Sequence, residues 1–438
     1  MANNFFAKKS VDELIAQTEE NEHKLKRALG SFDLVLLGIG AIIGTGIFVL
    51  TGVGAALHAG PAVTLSFLVS AVACVFAALC YAEFASIIPV SGSAYTYAYA
   101  TIGELLAWII GWDLILEYAV CSITVAIGWS GYLVNLLAGL GIIIPEWMCT
   151  PPLNIPAAII VAIITTLLVI GIKESARFNN FIVIVKLAVI LFFIVLGMFF
   201  IKPANWSPFM PFGWNGVMTG AAIVFFAYIG FDAVSTTAEE TKNPQRDLPI
   251  GIIVSLVVCS TLYIIVALIL TGIIPVMEYK DNQSFLSAPI AFALKVLHQD
   301  WASGIISIGA VMGITSVLLV MMMGQPRVFF AMSRDRLFPE GISKVHPRFR
   351  TPYKTTIITG LGVGFVALLI PIGTAAELAN IGTLFAFAIV SAAILLLRHT
   401  NPSLKRSFKV PFVWVVSPLG VIFSLYLMYS LPVLTWIR

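Results

Sequence analysis

The stretch LLGIGAIIGTGIFVLTGVG, residues 36–54, sets Gly38, Gly40, Gly44 and Gly46 in the middle of an apolar run. Each glycine costs a helix about 1 kcal/mol relative to alanine, so the cluster needs a reason. Two reasons fit. Either the chain unwinds at Gly44-Thr45-Gly46 and bares N–H groups and carbonyls inside a spanning helix, or small residues let neighbouring helices approach closely.

The run is one of eleven, near 33–57, 62–87, 104–137, 155–173, 180–201, 216–238, 249–274, 302–331, 355–371, 375–398 and 412–431. Most reach the roughly 20 residues that carry a helix across a bilayer, and none shows the ten-residue alternation of a barrel strand. The 438-residue chain is 59% apolar and 11% charged, far from the roughly 25% charged residues of a solvated globular domain. It reads as an all-α polytopic membrane protein. A net charge of +3 suggests neither nucleic acid nor an acidic macromolecular partner. Cys74, Cys80, Cys121, Cys149 and Cys259 show no paired spacing and read as small apolar residues. His23, His58, His298, His346 and His399 lie at or outside run ends, with no spacing for a zinc site or an acid-base dyad. GIGAIIGTG lacks the Lys-Ser or Lys-Thr ending of a nucleotide loop.

Basic residues orient the spans, because cytoplasmic connections are enriched in Lys and Arg. With the N-terminus inside, the cytoplasmic set holds twenty of the 25 basic residues, while Lys202, Lys280, Lys295 and Arg438 fall outside and Lys186 lies within a run. The polar stretch 1–30 has no apolar core of the signal-peptide kind. FLSAPIAFALKVLH, at 285–298, reads as a short external helix on the protein or membrane surface.

In the sixth run, AAIVFFAYIGFDAVSTTAEET (221–241), Gly230 stands beside Asp232 ahead of a string of small and hydroxyl residues, so a second break is expected there. The first and sixth runs each open a set of five, where two inverted five-helix repeats would place their broken helices. On this reading 1–30 is a cytoplasmic segment. Residues 31–398 are the ten-helix core, made of repeats 31–201 and 216–398, and 399–438 hold an eleventh helix and the chain end. Unwound backbone suits a zwitterion: N–H groups at a half-helix N-terminus attract a carboxylate, and carbonyls at a half-helix C-terminus attract an ammonium. A free amino acid offers both.

Five segments resemble the cationic amino acid transporter branch of the amino acid-polyamine-organocation superfamily. They are GIGAIIGTGIFVLTG (38–52), SGSAYTYAYATIGELLAWIIGWDLILEY (91–118), GFDAVSTTAEETKNPQRDLPIGI (230–252), QPRVFFAMSRDRLFP (325–339) and NIGTLFAFAIVSAAILLLR (380–398). The resemblance, to a bacterial member, runs from the first to the eleventh run. It implies a five-plus-five inverted-repeat fold with broken helices 1 and 6 and the substrate held at the breaks. Members have at least twelve spans, so the stop at Arg438, after SLPVLTWIR, departs from the pattern by a twelfth helix. The repeats end with the tenth helix, so the transport core is expected to survive.

The resemblance also implies site residues. The substrate carboxylate would meet the turn Ile43-Gly44-Thr45-Gly46, through the N–H groups of Thr45 and Gly46 and the Thr45 hydroxyl. The ammonium would meet carbonyls of Ile42, Phe226, Ala227 and Ile229. Phe226 and Phe231 flank the second break as aromatic lids, or are ordinary packing in a chain with 30 phenylalanines. Ser316, in AVMGITSVLLVMMM (310–323), either lines the pocket and leaves room for a long side chain or bonds a carbonyl one turn back. Lys186, in NNFIVIVKLAVILFF (179–193), would cost about 2.5–3.5 kcal/mol as a lone charge at mid-bilayer, so it is partnered, neutral or functional. In the resembling family a lysine here stands where related carriers bind sodium, which implies proton coupling. Glu104 is explained by its place in a first helical turn. Glu117, deeper, either lines the pocket or pairs with a neighbouring helix. Glu83, Glu239 and Glu240 read as ion-pair residues near cytoplasmic ends.

Together these readings predict a secondary active amino acid transporter of a prokaryotic-type plasma membrane. It would import small neutral substrates such as alanine, or cationic ones such as arginine, lysine and ornithine, by alternating access. The proton would be the coupling ion and no cofactor is expected. The rivals are an uncoupled exchanger or facilitator and, from another class, a channel or membrane enzyme. Expected partners are the free amino acid and the lipid bilayer, with no nucleic acid; a small accessory membrane subunit stays open.

Overall fold

Within a bilayer no water bonds the backbone, so apolar runs close their hydrogen bonds as helices. The computed structural model describes residues 8–10, 13–14, 29–90, 92–170, 175–335, 337–339 and 353–437. Most of the polar N-terminal stretch and the basic residues Lys173, Arg336, Lys344, Arg348 and Arg350 lie outside them. Among the described residues no β-strand forms, and the eleven expected spans are present. They are α1 (Ser31–Ile42, resuming as Gly46–Leu50, Thr51–Gly54 and Ala55–Ala59), α2 (Val63–Ile87), α3 (Glu104–Gly139), α4 (Ile155–Ile170) and α5 (Ser175–Met198). Then come α6 (Gly213–Val224, Phe225–Tyr228 and, past a turn, Asp232–Glu240), α7 (Pro244–Ile273), α8 (Asp300–Arg334), α9 (Tyr353–Leu369), α10 (Ile372–Thr400) and α11 (Val413–Tyr429). With 36 and 35 residues, α3 and α8 are each one unbroken helix of about 50 Å at 1.5 Å per residue. They form the most extensive helix pair of the bundle, while α7 packs on both α1 and α2.

Shorter helices fill the connections. Ser93–Thr101, which was not expected, follows Gly92 (φ +141°) and ends before Gly103 (φ +137°). It lies at the end of the bundle where α1 begins, the N-terminal face, with Tyr97 stacked on Phe84 of α2 at 4.8 Å. The stretch 285–298 is two helices, Gln283–Ser287 and Pro289–Val296, because a proline lacks the N–H to continue one helix and suits the first turn of the next. They sit on the protein at the opposite face, where Lys295 Nζ donates to Asn135 Oδ1 of α3 at 2.7 Å. A short helix, Val433–Ile437, follows α11.

The glycines of the opening stretch each admit a different neighbour. A Cβ on Gly38 would press into Ser255 of α7, one on Gly40 into Val183 of α5 (2.9 Å), and one on Gly44 into Val317 of α8 (2.8 Å). One on Gly46 would overlap Ala227 of α6. Close packing and an unwound point are therefore both present, and the interruption falls at Ile43 and Gly44, slightly ahead of Gly44-Thr45-Gly46.

Charged residues at the N-terminal face pair across elements. Glu83 of α2, fully buried, accepts from Arg398 Nε at 2.9 Å and from Val410 N–H at 2.6 Å, with Arg406 Nε 3.2 Å away. Glu240 accepts from Arg327 at 3.0 Å, and Asp335 holds Lys9 and the Tyr95 hydroxyl. Glu83→Ala leaves two arginines around an empty site, and breaking such a buried pair costs about 3–5 kcal/mol. Its thermal unfolding midpoint in detergent should fall well below wild type, with Glu83→Gln intermediate.

Candidate functional site

Where a helix stops, its last carbonyls lose their partners, and in a bilayer side chains must supply them. At Ile42 the inner half of α1 stops, and two residues from other helices cap it. Lys186 Nζ of α5, fully buried, donates to Gly40 O at 2.7 Å and Ile43 O at 2.8 Å, and reaches Ser316 Oγ of α8 at 3.2 Å. The Ser316 hydroxyl itself donates to Gly313 O at 2.7 Å, leaving its oxygen free to accept. An ammonium has three N–H donors, and three acceptors meet it. Tyr263 of α7 shares its single O–H between a further α1 carbonyl and one of α6: its hydroxyl lies 2.9 Å from Ile42 O and 2.8 Å from Ala227 O. One phenol therefore ties the two breaks together.

The outer half of α1 begins with unmatched donors, since its first backbone bond runs from Phe48 N–H to Gly44 O at 3.3 Å. Beside them the Thr45 hydroxyl, 1% exposed, has no hydrogen-bond partner among the described residues. In α6 the outer part ends at Ile229, and Gly230 turns the chain at φ +122° with no room for a Cβ against Ala41 O (2.9 Å). Between the breaks lies a small cavity of about 10 Å³, lined by Ala41, Ile42, Gly44, Thr45, Gly46, Phe226 and Ile229 from α1 and α6. Cys121 and Val125 of α3 and Val317 and Met321 of α8 close it. A wider cavity of about 270 Å³, whose lining includes Val49, Val53, Gly128, Asn154 and Gln283, lies toward the opposite face. Toward the N-terminal face aromatic rings fill the space: Phe231 lies 4.9 Å from Phe387 and 5.8 Å from Tyr81.

Of the residues proposed from sequence, Ile42, Gly44, Thr45, Gly46, Phe226 and Ile229 line one cavity. Ala227 stands behind it, against Gly46 and Tyr263, and Ile43 presents its carbonyl to Lys186. The other three lie elsewhere. Phe231 belongs to the aromatic layer, because the Gly230 turn sends Phe226 and Phe231 to different levels. Ser316 faces Lys186, while Val317, turned by about 100° along the same helix, reaches the cavity. Glu117 is buried below Cys121, outside the cavity lining. Sequence reasoning missed Tyr263, although a tyrosine in the middle of an apolar span must find a partner for its hydroxyl. It also missed Asn380 of α10, whose Nδ2 donates to Ala222 O at 2.7 Å just ahead of the α6 break.

Tyr263→Phe removes the one O–H that two buried carbonyls share, a loss of about 1–3 kcal/mol. The substitution should lower the unfolding midpoint while preserving monodisperse elution. Gly46→Ala should separate α1 from α6, and a ligand that stabilises the wild-type protein against heat should fail to stabilise this variant.

Comparison with known proteins agrees with this architecture. The amino acid permease family matches the chain over residues 29–436. The branched-chain amino acid permease BcaP of Bacillus subtilis is 53% identical, over 100% of this chain and 95% of its own length. The methylthioribose transporter of the same organism is 51% identical, over 99% of this chain and 94% of its own. The vacuolar cationic amino acid transporter 4 of Arabidopsis thaliana is 37% identical, over 91% and 68%. With helices 1 and 6 broken around one cavity and the family match running through all eleven spans, this chain is a multi-pass membrane protein belonging to the amino acid permease family.

Proposed function

We propose that the protein is a secondary carrier that imports small or branched neutral L-amino acids with a proton, Lys186 being the group that couples the two. The supporting observation is one cavity bounded by the donor end of α1's outer half and by the carbonyl end of α6's outer part. The substrate carboxylate is bound by the Thr45 hydroxyl and the N–H groups of Thr45 and Gly46, and its ammonium by the carbonyls of Ile42, Phe226 and Ile229. Cys121, Val125, Val317 and Met321 offer the side chain apolar contact and no charge, which favours neutral over cationic substrates. The N-terminal face is cytoplasmic, in keeping with the basic residues of its connections, and the membrane is the bacterial plasma membrane.

Lys186 couples because its donors hold Gly40 O and Ile43 O, the carbonyls next to the carboxylate site. Loss of its proton removes one of three donors and loosens the turn that binds substrate. The methylthioribose transporter at similar identity makes a thiosugar the competing cargo, although it has no charged pair for the two half-helix ends.

The test is a thermal-shift panel on purified protein with L-alanine, L-leucine, L-isoleucine, L-arginine, L-lysine, L-ornithine and methylthioribose. A ligand at 100 times its Kd stabilises by about 2.7 kcal/mol. Neutral amino acids should raise the midpoint; a shift with methylthioribose alone rejects the reading. In proteoliposomes, accumulation under an inward proton gradient should collapse with a protonophore, and Lys186→Ala should retain some exchange but lose accumulation. Accumulation in that variant equal to wild type would remove Lys186 from coupling.

A further inference from the structure

The cavity between the breaks holds about 10 Å³, room for one water and not for an amino acid. Part of its wall must move before a substrate fits. The wider cavity of about 270 Å³ begins on the far side of one contact, where the Thr45 side chain lies on Gly128 of α3 and a Cβ would come 2.8 Å from the Thr45 hydroxyl. Were the outer half of α1 to leave α3 at that contact, the two cavities would join.

One turn beyond Gly128, Tyr132 of α3 holds that half in place. The side chain is fully buried; its hydroxyl donates to Phe48 O at 2.7 Å, and its ring meets the Phe48 ring edge-on at 5.7 Å. Among the described residues this is the one side-chain hydrogen bond from α3 to the outer half of α1. A phenol oxygen also accepts, and the backbone N–H groups of Ile290 and Ala291 bond it. Both belong to the first turn of the helix Pro289–Val296, where amides have no partner within the helix. One hydroxyl thus joins α3, α1 and the outer helix.

Two glycines let these three elements meet. Gly131 of α3 leaves room for Ser287 O, 2.8 Å from where its Cβ would stand, and Gly52 of α1 leaves room for Pro289. One turn further along α3, Asn135 accepts from Lys295 of the outer helix at 2.7 Å and donates to Ser307 of α8 at 2.7 Å. The outer helix therefore has a polar tie of its own to α3 and α8, while α1 is tied to α3 through Tyr132.

We propose that Tyr132 is a positioning residue: its hydroxyl clasps the outer half of α1 to α3 and the outer helix, which closes the substrate cavity off from the wider one and fixes the N–H groups of Thr45 and Gly46. Release of Phe48 O lets that half turn about the interruption at Ile43 and Gly44 and opens the site toward the opposite face. The clasp stands whatever the cargo; its effect on substrate affinity rests on the carrier reading.

Native thiols report on the clasp. Cys121 lines the substrate cavity and Cys149 the wider one, whereas Cys74 and Cys259 are buried outside both linings. Purified full-length protein is treated with N-ethylmaleimide, and the alkylation rate of each cysteine is read by peptide mass spectrometry. In Tyr132→Phe, Cys121 should react about tenfold faster than in wild type, the factor expected for loss of one buried hydrogen bond. Rates at Cys149, Cys74 and Cys259 should stay as in wild type. An unchanged Cys121 rate overturns the proposal, and so does an equal rise at Cys74 and Cys259, the mark of general loosening. Amide hydrogen exchange in wild type needs no variant: Ile290 and Ala291 should be protected, and exchange at the rate of free amides overturns the clasp. For the positioning role, the L-leucine concentration giving half the thermal shift should rise about tenfold in Tyr132→Phe; an unmoved concentration removes that role. Should no ligand shift the wild-type protein, the carrier reading fails, and alkylation and exchange still decide the clasp.

Discussion

The arrangement depends on how a helix that stops in the middle of a membrane satisfies its last carbonyls. Lys186 and Tyr263 do this for α1, reaching Gly40 O, Ile43 O and Ile42 O from α5 and α7. A cation also suits that end of a helix, where the backbone dipoles leave negative partial charge. The lysine is thus held in the bilayer by an interaction the break itself creates. Because its third contact is Ser316 of α8, the capping group joins three helices at one point. Tyr263 extends the junction to α6 through Ala227 O, so neither break can shift without disturbing the other.

Glycine makes this geometry accessible in two ways. Gly38, Gly40, Gly44 and Gly46 remove side chains on four sides of one helix, so α7, α5, α8 and α6 all approach its backbone. Only with the neighbours that close can a lysine from α5 and a tyrosine from α7 reach α1 carbonyls. Gly230 differs from these, because its positive φ is the turn itself. Packing through small residues and an unwound backbone are therefore successive requirements of a single structure.

Around the breaks the two faces differ. Toward the N-terminal face, Phe231, Tyr81 and Phe387 fill the space below the site, and beneath them the Glu240–Arg327 and Asp335–Lys9 pairs link elements distant in sequence. Toward the opposite face, a wider cavity lies beyond Gly128, whose missing side chain makes room for Thr45. The inner piece of α6, Asp232–Glu240, is wound as a 3-10 helix, a strained form over nine residues. It is a natural element to rearrange, and the buried Asp232 stands at its first position.

Much of this was legible in the chain alone. Run length and composition determined eleven spanning helices, glycine clustering and the Gly230–Asp232 pairing located both interruptions to within a few residues, and the cost of a mid-span charge singled out Lys186. These are local properties, decided by solvent and backbone energetics whatever the neighbours do. Spacing along a helix gives the angle between two of its residues but not how the helix is rotated against the others. Only packing decided that Val317 rather than Ser316 meets the cavity, that Phe231 drops into the aromatic layer, and that Glu117 falls outside the cavity lining. The same holds for Tyr263: the sequence by itself demanded a partner for its hydroxyl, but the partners, Ile42 and Ala227, lie 221 and 36 residues away and met it only when α1, α6 and α7 had packed.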